Sequence, residues 1–139
     1  MLRRLLIHPR AIPLVLCVQI VPLLMFPASA YTLKTQEWWL PALLTFLTVL
    51  ALAQLLLRRS HAPWPWYLLS FSQGFNIISR LMMLMPHATL YVDGVERFHT
   101  VYVTLSLASI VISAAALWYD ELPEVRASVH GKEPSRKAA

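Results

Sequence analysis

Charge is scarce in this chain. Asp, Glu, Lys and Arg make up only 14% of it, against about 25% in a soluble domain. Cysteine occurs once, as Cys17, which excludes an internal disulfide and any Cys-x-x-Cys redox motif. Its apolar neighbours predict a buried, unreactive thiol. Glycine occurs three times, and no stretch sustains a two-residue alternation of apolar and polar side chains, so a transmembrane β-barrel is excluded. There is no Gly-rich phosphate loop, no His-Glu-x-x-His and no Gly-x-Ser-x-Gly. No Asp or Glu falls inside any long apolar run, which removes the embedded carboxylate that a proton- or cation-coupled exporter needs. His8, His61, His87, His99 and His130 all lie at or beyond the ends of those runs, so none is placed to ligate a haem in mid-membrane. No cofactor is expected.

What the chain has instead is hydrocarbon, at 58% apolar residues. It is collected into four runs, Ala11–Ala28, Trp38–Leu57, Trp64–Met85 and Thr100–Tyr119, each close to the ~20 residues that a spanning helix requires. The pattern predicts an all-α integral membrane protein, a four-transmembrane-helix antiparallel bundle within residues 1–123. Between helices 3 and 4, Thr89–Val92 and Val95–Phe98 flank Asp93-Gly94, which predicts a short external loop or β-hairpin. Residues 124–139 have too little apolar content to fold alone and are expected to form a disordered cytoplasmic tail.

The net charge of +5 raises nucleic acid as a partner, but the basic residues flank the apolar runs instead of forming one face. With the N-terminus inside, Arg3, Arg4, Arg10, Arg58, Arg59, Arg126, Lys132, Arg136 and Lys137 are cytoplasmic, and only Lys34 and Arg97 lie outside. That bias predicts a multi-pass protein of the cytoplasmic (inner) membrane with both termini in the cytoplasm. Tyr31, Trp38, Trp39, Tyr91 and Tyr102 then fall at the outer interface, and Trp64, Trp66, Tyr67, Trp118 and Tyr119 at the inner one. The expected partners are the lipid bilayer and other membrane subunits or a second copy.

Two readings of the first run stay open. Ala28-Ser29-Ala30 has the small-x-small form of a signal-peptidase site. Gln19 is out of place in a signal core and natural in a retained helix, bent near Pro22, that hydrogen-bonds to a neighbour. In the second run, Thr45 and Thr48 are expected to bond their own i−4 carbonyls.

The third run carries the candidate site. Gln73, Asn76 and Arg80 stand at i, i+3 and i+7, on one stripe of a helix, and Ser72 and Ser79 widen it. Polar groups in hydrocarbon face a partner helix or a wet cavity. Arg80 is expected either to reach headgroups or an outer-loop acid, or to occupy an internal pocket with Asn76. The fourth run offers Ser106, Ser109 and Ser113 at three- and four-residue spacing, a small-residue strip suited to close packing. Its serines are the expected partners of Gln73 and Asn76. No metal site is predicted; His87 and His99 are weak candidates that lack a third ligand.

These observations rank three readings. The first is a non-catalytic subunit or assembly partner of a membrane complex. The second is a binding or transport protein for an anionic or amphipathic ligand, with its polar recess at Arg80. The third is a membrane enzyme acting on lipid or quinone through His87 or His99.

Overall fold

A computed structural model describes residues 8, 10–25, 38–58, 61–92 and 94–129. The small-x-small segment at 28–30 lies outside them, as do Lys34, Arg59 and Asp93.

The first apolar run forms two short helices, α1 (Ile12–Val18) and α2 (Ile20–Leu24). Pro13 sits in the first turn of α1, where its missing N–H costs nothing. Pro22 sets the break. It has no N–H for the Val18 carbonyl, and its ring crowds that same carbonyl, so α1 stops at Val18. The bend therefore falls at Gln19, one turn before the proline. Gln19 closes the junction with a tightened bond from its N–H to the Leu16 carbonyl at 3.3 Å.

Helix α3 runs Trp39–Leu52 and continues as a wide turn over Ala53–Leu57, in which the Arg58 N–H reaches back five residues to the Ala53 carbonyl. Helix α4 spans Trp64–His87, about 36 Å at 1.5 Å per residue. Pro63 and Pro65 stand at its start and Pro86 in its last turn. Strands β1 (Thr89–Val92) and β2 (Val95–Phe98) pair antiparallel, with Thr89 opposite Phe98 and Val92 opposite Val95. Gly94 takes a φ of 76° at the reversal, the left-handed region that glycine enters at no steric cost. A bond from the His99 N–H to the Ala88 carbonyl at 2.7 Å closes the base of the ladder. Every residue of β2 is exposed.

Helix α5 covers Thr100–Asp120 and α6 covers Pro123–Val129. Residues 124–129, expected to lack structure, are thus helical. Val125 is fully buried and Val129 packs against the same apolar cluster, so this short helix is held by docking and not by length. The rest of the expected tail lies outside the described residues.

Two helices, Trp39–Leu57 and Thr100–Asp120, are long and apolar enough to cross a membrane, where the sequence predicts four spans. Helix α4 is longer than either, but Gln73, Asn76 and Arg80 dilute its apolar content. Ile12–Leu24 is apolar but shorter.

The interior is divided by polarity. One end is an apolar cluster in which Leu16 of α1, Leu55 next to α3, Trp66 and Leu69 of α4, and Tyr119 and Val125 of the last two helices meet. The middle layer is polar. The outside is hydrocarbon: Phe46, Leu57, Val111, Met82 and Met85 are all more than half exposed.

Two expectations are corrected. Cys17 is exposed on the outer face of α1, because Ile12 and Leu16 take the inward positions. An uncharged, membrane-permeant thiol reagent is accordingly expected to label Cys17 in folded, detergent-purified protein; labelling by such a reagent only after denaturation would contradict this placement. The buried Thr45 and Thr48 hydroxyls have no hydrogen-bond partner among the described residues, so neither bonds the preceding turn.

Candidate functional site

Helix α4 packs most extensively against α5, and this contact brings the polar stripe inside. Gln73 is 0% exposed, and Asn76 and Arg80 are each 1% exposed. Ser106, Ser109 and Ser113, spaced to line one side of α5, are buried as well.

Asn76 is the hub. Its Nδ2 donates to Ser109 Oγ at 3.0 Å and to Ser113 Oγ at 2.9 Å. Its Oδ1 accepts from Arg80 Nε at 3.2 Å. Arg80 does not reach outward along the helix. Its Nη2 donates to the Pro22 carbonyl at 3.0 Å, and Ser109 Oγ donates to that same oxygen at 2.7 Å. The Pro22 carbonyl is available because α2 ends at Leu24 and the carbonyls of a last turn have no intrahelical N–H. The broken first helix thus supplies the acceptor that holds the guanidinium.

Gln73 departs from expectation. It passes over the serines and gives its Nε2 to the Gln19 carbonyl at 2.9 Å. Ser79 bonds the Asn76 carbonyl within its own helix at 3.0 Å. The Ser72 hydroxyl is buried with no hydrogen-bond partner among the described residues.

Sequence reasoning missed the second pole of this network. Asp120, at the end of α5, is 0% exposed and accepts from Gln19 Nε2 on its Oδ1 at 2.6 Å. Arg126 of α6 donates Nε to the Asp120 backbone carbonyl at 2.8 Å, and its Nη2 lies 3.1 Å from Glu121 Oε1. Its guanidinium also rests over the Trp66 ring at 5.6 Å. The signal was Gln19 itself, a mid-run amide that needs a partner at its own depth. Asp120 stood too close to the end of the fourth run to be counted as embedded.

His87 and His99 both stack on the Tyr102 ring, at 5.2 Å and 5.8 Å between ring centroids. The His87 Nδ1 is also 3.1 Å from the Met83 carbonyl. Among the described residues no group of three His, Cys, Asp or Glu could hold a metal ion.

The chemistry of the seam is that of a clamp. Ser109 already spends its hydroxyl on a carbonyl and an amide, whereas a nucleophilic serine needs a neighbouring base. A separate cavity of about 230 Å³ opens between α1 and α5, walled by Val15, Val18, Ile112, Ala115 and Trp118 with Gln19 at its edge. Neither Arg80, Asn76 nor Gln73 lines it. Compared with known protein families, curated proteins and solved structures, the chain matches none.

Proposed function

We propose that this chain is a four-span protein of the cytoplasmic membrane, with both termini in the cytoplasm, acting as a non-catalytic subunit or assembly partner of a membrane complex. One observation carries the reading: the polar side chains of α4 turn inward onto the chain's own carbonyls and serines, while large apolar side chains cover the outside. Such an inside-out distribution suits lipid, where unsatisfied polar groups are costly, and leaves the outer surface free to pack against other membrane helices. A ligand recess at Arg80 is disfavoured, because that side chain is already buried among protein groups.

The test is purification from native membranes in mild detergent, followed by native mass spectrometry, with a reporter fused beside Gly94. The expected result is a defined complex with a different membrane subunit and an external reporter. A chain that washes off membranes at alkaline pH, or a cytoplasmic reporter, contradicts the placement. A chain that runs alone contradicts the subunit role.

A further inference from the structure

Where the break of the first helix meets the end of α5, two buried groups touch at one atom pair and leave a second pair unresolved. Gln19 Nε2 donates to Asp120 Oδ1 at 2.6 Å. The other oxygen of each group, Gln19 Oε1 and Asp120 Oδ2, is buried with no hydrogen-bond partner among the described residues. An amide oxygen and an ionised carboxylate oxygen are both acceptors, so neither can satisfy the other. One proton changes the count. A carboxylic acid carries one O–H donor and keeps acceptor capacity, and a primary amide offers N–H donors and one acceptor oxygen on a single planar group. Each orphaned oxygen shares a carbon with an atom of the existing bond, and the terminal torsions of Gln and Asp are broad, so a small rotation closes the second contact.

The surroundings of Asp120 favour the neutral form. The residue is 0% exposed, and an ionised carboxylate taken out of water without a paired cation is far costlier than a hydrogen-bonded neutral acid. The cation that reaches this residue, Arg126 of α6, gives Nε to the Asp120 backbone carbonyl and Nη2 to Glu121. Glu121 and Glu124 carry the sign that repels a further negative charge, and Tyr119 beside it supplies no positive one. From α1, α3 and α4 this end of the bundle receives Leu16, Leu55 and Leu69, all apolar.

We infer that Asp120 is a buried proton-binding site: it keeps its proton in the folded chain, and Oδ2–H donates to Gln19 Oε1 to complete a two-bond acid–amide pair. The pair ties the first helix to the end of α5, and Gln73 of α4 holds the same residue through the Gln19 carbonyl. The proton therefore sits at a junction of three helices. Its release to water reduces the tie to one bond and sets two acceptors against each other. The folded chain binds a proton that the unfolded chain gives up, so stability falls as pH rises. The inference needs only the fold and is independent of the subunit role.

Asp93 and Asp120 are the only aspartates in the chain. Aspartate labelled with carbon-13 at its side-chain carboxyl therefore gives two signals in the NMR spectrum of the full chain in detergent micelles. Asp93→Asn removes one and so identifies the other, with Asp120 in place. At neutral pH the Asp120 signal is expected at the position of a carboxylic acid and the Asp93 signal at that of a carboxylate. An Asp120 signal at the carboxylate position overturns the inference. Between about pH 5 and about pH 9 the thermal midpoint of the wild-type chain is expected to fall by about 5 °C more than that of Asp120→Asn, whose amide keeps a donor for Gln19 Oε1 at every pH. The histidines titrate alike in both proteins, so the difference isolates Asp120, and equal falls also overturn the inference. If Asp120→Asn does not fold, the carboxyl signal decides alone.

Discussion

Asn76→Leu is expected to destabilise the folded chain by about 3–5 kcal/mol, read as a large fall in the thermal midpoint in mild detergent. The side chain makes three hydrogen bonds, two to serine hydroxyls and one from the Arg80 guanidinium. The serine bonds are the smaller part, since interhelical hydrogen bonds in membranes average about 0.6 kcal/mol. The larger part is the buried cation, which loses an acceptor where water cannot replace it. Leucine keeps the heavy-atom branching of asparagine and so opens no cavity, although its bulkier methyl groups add some overpacking to the polar loss. Ser113→Ala provides the comparison. It removes one neutral bond and is expected to cost less than about 1 kcal/mol. Equal effects from the two substitutions would mean that Asn76 is not the hub.

Gln19→Leu is expected to cost about 1–3 kcal/mol, the penalty of leaving a buried acceptor unsatisfied. It strips the Asp120 carboxyl group of its 2.6 Å donor at a site with no exposure. The double variant Gln19→Leu with Asp120→Leu is expected to recover most of that loss, because replacing both members of a buried polar pair by apolar residues is often close to neutral. A double-mutant cycle in detergent gives the coupling directly. Additive losses would show that the two side chains do not meet.

Much of this arrangement was legible from the chain alone, and the reasons are physical. The period of Gln73, Asn76 and Arg80 fixes one helical face wherever the helix lies, and the serine spacing of α5 supplies a matching one. The Asn76–Ser109 and Asn76–Ser113 bonds follow from those two periodicities. Thr89–Val92 and Val95–Phe98 pair as two short strands, while Asp93 of the expected Asp93-Gly94 turn lies outside the described residues. What could not be read were contacts made by backbone carbonyls. The acceptor for Arg80 is the carbonyl of Pro22, and that for Gln73 is the carbonyl of Gln19. Which carbonyls a broken helix leaves available depends on where it breaks, and a run of apolar letters does not carry that. Cys17 failed for a related reason: an apolar helix has no polar face to mark its outside, so the inward stripe of Ile12 and Leu16 had no contrast. The helix at Pro123–Val129 is stabilised by what it docks on, and the burial of Val125 is invisible to composition.

The central claim is that α4 turns its polar stripe to the protein and its aromatic and methionine face to lipid. Spin labels placed singly on α4 of the protein in vesicles test this most directly, through their collision rates with lipid-soluble oxygen and with a water-soluble nickel chelate. Labels at Phe71, Phe75, Ile78 and Met82, all exposed, are expected to meet oxygen freely and nickel rarely, and a label at the buried Ser72 to meet neither. Nickel access along the Phe71–Met82 face, or free oxygen access at Ser72, would contradict the account.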